Sequence, residues 1–103
     1  MKKIHVGSEL PRDVNHLVLT ITDEPVALYF LRMIDDVLIS SPEGDILISW
    51  DIDHDSEWDD ENCMLLTVRD NMKEIGNIKT SLFALKARDR GVNLKVYLTV
   101  QTN

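Results

Sequence analysis

The sequence predicts an α+β fold with elements in the order β-α-β-β-α-β. Strict alternation of apolar and polar residues at 45–52 and 93–101 is typical of half-buried strands. Two longer segments, 24–38 and 71–88, instead repeat apolar residues every three or four positions, as amphipathic helices do. We therefore expect an antiparallel four-stranded sheet with both helices packed on one face.

The other two strands are predicted from residue type. Residues 16–22 are rich in leucine and β-branched side chains, and residues 63–69 place an apolar residue at every second position. Residues 2–6 are a candidate for an additional N-terminal strand, and 7–15 are predicted to form a loop.

The first predicted helix, 24–38, has clear boundary signals. Thr22 or Asp23 can serve as the N-cap, and Pro25 suits the first helical turn. Residues 40–44, Ser-Ser-Pro-Glu-Gly, end the helix. Its apolar stripe consists of Val26, Phe30, Ile34, Val37 and Leu38.

The second predicted helix covers 71–88 or extends to Arg90, where Gly91 can adopt the left-handed conformation that follows many helices. Its apolar stripe consists of Met72, Ile75, Ile78, Leu82 and Leu85. Over most of the chain, this order of elements resembles that of ferredoxin-like folds, without a shared motif. The resemblance implies the sheet-and-helix arrangement above and no particular function.

Length and composition predict one globular domain, 1–103. Hydrophobic residues make up 44% of the chain and charged residues 28%, both ordinary values. No apolar run approaches the roughly 20 residues of a membrane-spanning helix, and charged residues and a proline interrupt the region where a signal peptide would lie. With the single cysteine, Cys63, these features predict a cytoplasmic protein in a reducing compartment.

The formal net charge of −7 is concentrated in residues 51–62, here called the acidic segment. Residues 1–50 carry a net charge of −4 and residues 63–103 carry +4, so the excess equals the charge of this segment. Its acids are Asp51, Asp53, Asp55, Glu57, Asp59, Asp60 and Glu61. Such a charge disfavours direct binding to nucleic acid or to anionic membranes and favours a basic protein partner.

Two interpretations of the acidic segment involve no macromolecular partner. It can be a solvated loop that blunts a sheet edge. Alternatively, it can bind a divalent cation, because Asp51, Asp53, Asp55 and Asp59 match ligand positions of an EF-hand loop. That match is incomplete: Ser56 replaces the required glycine and Asn62 replaces the final glutamate. A small metal- or ligand-responsive domain is thus an alternative function.

The third interpretation is a docking surface for a basic protein. If the preceding strand continues to about His54, alternate acids project from one face at roughly 7 Å spacing, which resembles phosphate spacing. Trp58 supplies an aromatic anchor of the kind enriched in interface hot spots. The predicted partner-binding residues are Asp51, Asp53, Asp55, Glu57, Trp58, Asp59, Asp60 and Glu61.

No motif for catalysis is present. His54 lies among acids, while His5 and His16 have no partner at metal-ligand spacing. Cys63 has no adjacent basic cluster, and there is neither a Gly-x-Ser-x-Gly elbow nor a phosphate-binding glycine loop. We expect no catalytic residue, metal site or cofactor.

A small acidic domain with this charge pattern is typical of inhibitors of basic proteins. The resulting hypothesis is a toxin immunity protein that blocks the active site of a cationic nuclease toxin, as in contact-dependent growth inhibition. The sequence leaves the oligomeric state open.

Overall fold

The regular secondary structure of the described part of the chain is almost entirely β-strand. The computed structural model describes residues 1–7, 13–50, 58–70 and 72–103. The strands are β1 (Lys2–Val6), β2 (Val14–Ile21), β3 (Val26–Ser40), β4 (Ile46–Ser49), β5 (Met64–Leu66), β6 (Met72–Ala87) and β7 (Leu94–Thr102). The helical element among these residues is one 3₁₀ turn, Asp60–Asn62. The predicted α+β fold, with β-α-β-β-α-β order and two helices on a four-stranded sheet, is therefore wrong.

The seven described strands form one sheet in the order β2-β7-β3-β6-β4-β5, with β1 parallel to the start of β3. All other pairs are antiparallel. The first half of β3 lies between β1 and β6, whereas its second half lies between β7 and β6. The second half of β6 lies between β3 and β4. Each long strand, β3 or β6, therefore belongs to one group of strands in its first half and to another group in its second half.

These two groups form two layers around a common core. Layer A contains β2, β7, the second half of β3 and the first half of β6. Layer B contains β1, the first half of β3, the second half of β6, β4 and β5. Val37 and Val96 from layer A and Leu28, Ile48 and Phe83 from layer B are fully buried in one apolar cluster. Burial of each such side chain contributes about 1.5–3 kcal/mol.

Irregular backbone marks the places where β3 and β6 pass between the layers. The register between these strands shifts between Tyr29 and Ile34 and again between Ile34 and Asp36. On β6, Asn77 and Lys79 have positive φ angles of 59° and 54°. Such bulges bend a strand and increase its local twist. They allow one sheet to cover both sides of the core.

The bulge in β3 explains why a helix was wrongly predicted at 24–38. Phe30, Ile34 and Val37 all face the common core, spaced by four and then three residues because the register shift changes which residues point inward. Residues 26–30 are buried on both faces of the sheet, which removes the usual alternation. A doubly buried, bulged strand therefore has the apolar spacing of a helix.

The helix predicted at 71–88 is wrong for a related reason. Ile75, Ile78 and Leu85 face the common core, but Leu82 lies on the outer face of layer B. The apolar residues that seemed to form one helical stripe therefore lie on two faces of a single strand. In addition, positive-φ Asn77 lies between Ile75 and Ile78, so their three-residue spacing crosses an irregularity.

Replacing Lys79 by glycine should stabilise the fold. Left-handed backbone costs a lysine about 1–2 kcal/mol, whereas the greater conformational entropy of glycine in the unfolded chain costs about 0.5–1 kcal/mol. We expect the free energy of unfolding in urea to rise by up to about 1 kcal/mol. Asn77→Gly should have a smaller effect, because asparagine tolerates this conformation. Lys73→Gly, elsewhere on β6, should lower stability. Equal losses for Lys79→Gly and Lys73→Gly would contradict the assigned backbone.

Candidate functional site

The predicted partner-binding residues are divided between two parts of the chain. Asp51, Asp53, Asp55 and Glu57 lie outside the described residues, together with His54 and most of the EF-hand match. Trp58, Asp59, Asp60 and Glu61 are described, and they precede β5. Of the acidic segment, the structure describes residues 58–62, which lead through Cys63 into β5.

Trp58 is held on the outer face of layer B. Ala27 and Tyr29 on β3 lie opposite Ala84 and Leu82 on β6, and these four buried side chains form what we call the outer platform. Trp58 is half-buried and packs against the platform. The adjacent alanines have no atoms beyond Cβ, so the indole can lie close to the strands.

Asp60 links the end of the acidic segment to β6. Its Oδ1 accepts a hydrogen bond from Trp58 Nε1, and Lys86 Nζ lies 3.1 Å from the same oxygen. The Trp58 hydrogen bond, followed by that from Lys86, lowers the pKa of Asp60. The carboxylate therefore remains charged at moderately acidic pH, although 61% of its side chain is exposed.

The residues around Asp60 form a cross-linked turn. Asp59 Oδ1 accepts a hydrogen bond from the backbone N of Glu61 at 3.0 Å, and its Oδ2 accepts one from Asn62 Nδ2 at 2.9 Å. Cys63 Sγ donates to the carbonyl oxygen of Asp60 at 2.8 Å. Asp59, Asp60 and Glu61 remain exposed. The turn thus presents three acids from an ordered backbone.

The two tryptophans contact opposite faces of β6. Trp50, directly after β4, stacks on Phe83 with ring centroids 6.3 Å apart and planes 4° from parallel. That contact lies on the core side, whereas Trp58 packs over Leu82 and Ala84 on the outer side. Both ends of the β4–β5 connection are therefore anchored to the same strand.

The described side chains that could take part in catalysis or metal binding do not lie together. Burial, followed by the negative charge of Asp60, raises the pKa of the Cys63 thiol, which favours its unreactive protonated form. His5 lies beside the Tyr29 ring at 5.5 Å, and His16 Nδ1 lies 3.1 Å from Thr99 Oγ1. No group of three or more His, Cys, Asp or Glu that could hold a metal occurs among the residues described.

Sequence reasoning missed the partners that hold Trp58 and Asp60. The sequence placed Lys86 in the second predicted helix, 71–88, and Ala27 and Tyr29 in the first, 24–38. The pair between Asp60 and Lys86 joins residues 26 positions apart. No local pattern signals this contact, because it depends on β6 lying under the turn.

The sequence matches no protein-family model, and it matches no curated protein. Among the described elements, no helix has the length and apolar character needed to cross a membrane. A function must therefore be inferred from the charges and contacts of the chain itself.

Removing the indole N–H should raise the pKa of Asp60. In Trp58→Phe we expect a larger rise toward the ordinary value than in Lys86→Met, since the indole makes the larger contribution. Carboxyl carbon chemical shifts followed by NMR during a pH titration measure this change. Trp50→Phe removes an indole N–H on the core side and should leave Asp60 unaffected.

The sign of the effect on stability follows from the lowered pKa. The folded state prefers the Asp60 carboxylate, so its contribution to stability is present above the ordinary pKa and is lost as pH falls through the lowered one. A Trp58→Phe titration identical to that of the unmodified protein would contradict the hydrogen bond.

Trp58 should contribute to folding as well as to any partner contact. Because its ring covers the outer platform, Trp58→Ala should lower the free energy of unfolding by about 1–3 kcal/mol. Met72→Ala, at a position that is 56% exposed, is the control and should change stability by no more than about 0.5 kcal/mol. Equal values in urea denaturation would show that the Trp58 ring does not stabilise the fold.

Proposed function

We propose that this chain is a non-enzymatic cytoplasmic protein that binds and neutralises a basic protein partner. In its most concrete form it is an immunity protein that occludes the active site of a cationic nuclease toxin domain, as in contact-dependent growth inhibition. The observation that carries the proposal is that the acidic segment, 51–62, contains seven acids and accounts for the whole formal net charge of −7.

The described end of the acidic segment supports a docking role because it is both ordered and exposed. The outer platform and Lys86 hold Trp58 and Asp60, and Asp59 closes the turn. Ordering these residues before binding reduces the conformational entropy that a partner would otherwise have to offset. A solvated loop would not need such anchoring.

The acids differ in how freely they can meet a partner. Asp60 is engaged with Trp58 and Lys86, so a partner cation would compete with an existing ion pair. Asp59 uses both carboxylate oxygens within the turn. The Glu61 side chain is exposed and has no hydrogen-bond or ion-pair partner among the described residues. Glu61 is thus the best-placed described acid for a direct contact, while Asp60 holds the turn in position.

The proposed mechanism is electrostatic and steric. Carboxylates of the acidic segment would occupy positions on the nuclease that normally receive nucleic-acid phosphates. Clustered charge of one sign accelerates encounter with an oppositely charged surface, and the effect extends over a Debye length of about 8 Å at physiological salt. The exposed part of the Trp58 ring would then contact the partner.

The test is to combine Asp51→Asn, Asp53→Asn and Asp55→Asn and to measure association with basic nuclease toxin domains, starting with any encoded beside this chain. We expect the affinity at low salt to fall at least about tenfold, which corresponds to about 1.4 kcal/mol. The dependence of affinity on salt should become weaker, and inhibition of nucleic-acid cleavage should fall in parallel.

A matched control removes the same number of charges elsewhere. Asp23→Asn, Glu74→Gln and Asp89→Asn change exposed acids outside the acidic segment. This variant should retain affinity within about twofold, because distant exposed charges are screened. Equal losses in both variants would indicate a general effect of net charge, and unchanged binding in both would rule out electrostatic docking by the acidic segment. Adding Glu61→Gln to the segment variant should weaken binding further.

A further inference from the structure

The described sheet has four strand edges without a neighbouring strand, and three of them are protected. The edge at β1 carries Lys2 and Lys3, and β5 has only three residues. The edge at the first half of β6 carries Lys73 and Lys79 and includes the positive-φ irregularity. Charges, short strands and bulges are the usual devices that prevent edge-to-edge pairing.

The edge at β2 (Val14–Ile21) has none of these devices. Its eight residues, VNHLVLTI, include no Lys, Arg, Asp, Glu or Pro. The strand pairs with β7 in unbroken register from Val14 opposite Gln101 to Ile21 opposite Leu94. Val14 and Val18 are 46% and 61% exposed. It is therefore a regular, uncharged strand with apolar side chains at an open edge.

The hydrogen-bond pattern shows which backbone groups of β2 face outward. Thr102 N donates to Asp13 O at 2.9 Å, so residues 13 and 102 form a hydrogen-bonded pair. In an antiparallel ladder such pairs alternate, so the odd-numbered residues of β2 bond to β7. The even-numbered residues direct their amide and carbonyl groups to the open edge: Val14, His16, Val18 and Thr20.

We propose that β2 pairs antiparallel with β2 of a second copy of this chain across a two-fold axis at Leu17. This register places Val18 opposite His16 of the partner subunit and Val14 opposite Thr20 of the partner subunit. Residues that share a sheet face then meet directly, and every outward amide and carbonyl of the four even-numbered residues finds a partner. The pairing joins the sheets of the two copies into one continuous sheet and leaves neither β2 edge open.

The charge pattern favours a second copy as the occupant. Across the two-fold axis each residue of β2 meets a residue of the same strand in the other copy, so a strand with charges of one sign would repel itself, whereas β2 contains no Lys, Arg, Asp or Glu. Asp60 lies away from this contact, because Lys86 holds it on the outer face of layer B and β2 belongs to layer A. The pairing is independent of the proposed function, which uses the acidic segment.

Two substitutions at Val18 test the pairing. Val18→Pro removes an outward N–H without removing a hydrogen bond to β7, and Val18→Lys places a charge at the interface. We expect the unmodified protein to sediment at twice the mass of one chain at high concentration and both variants at the mass of one chain. Circular dichroism shows whether each variant is folded. If one variant does not fold, the mass of the other variant tests the pairing.

Met72→Lys is the matched control, because it adds a charge on the same outer face of layer A at the edge formed by β6. It should leave the dimer intact. A single-chain mass for the unmodified protein at every concentration would overturn the proposal and leave β2 open to a different partner's strand. A dimer that survives both Val18 variants, or that Met72→Lys disrupts equally, would also overturn it.

Amide hydrogen exchange supplies a second readout with residue detail. In the dimer, the amides of Val14, His16, Val18 and Thr20 should exchange slowly, and dilution to monomer should accelerate them at least tenfold. The amide of Leu17, which bonds to β7, should be protected in both states. Rates at the four outward amides that do not depend on concentration would overturn the pairing, whether or not the acidic segment binds a basic protein.

Discussion

The bends in β3 and β6 are the constraint on which the rest of the structure depends. A straight strand of 15 residues would extend about 50 Å, whereas the longest dimension of the molecule is 37 Å. The strands must therefore change direction, and they do so where Ile34 and Ile78 remain buried. Because each long strand contributes to both layers, the two layers share one core.

This arrangement also determines where the acidic segment ends. The second half of β6 is buried on both faces, with Phe83 toward the core and Ala84 toward the outer platform. Trp50 packs on the core face of this strand, and Trp58 packs on its outer face. The same strand presents Lys86 to Asp60, so the strand that completes the core also positions Asp60.

Two surfaces of different chemistry result. The outer face of layer B carries the acidic turn for which we propose a basic partner, and the edge of layer A carries the uncharged strand for which we propose an identical one. Each surface follows from a different physical requirement: long-range electrostatic attraction in the first case and unsatisfied backbone hydrogen bonds in the second. Neither surface requires the other.

The sequence by itself determined the strands whose one buried face alternates regularly, such as β7, and the concentration of charge in residues 51–62. Only the tertiary structure decided the conformation of residues 26–40 and 72–87. A helix and a doubly buried, bulged strand place apolar residues at the same spacing, so long-range pairing selects between them. The tertiary structure likewise decided which residues hold Trp58 and Asp60, because those residues lie on strands that are distant in sequence.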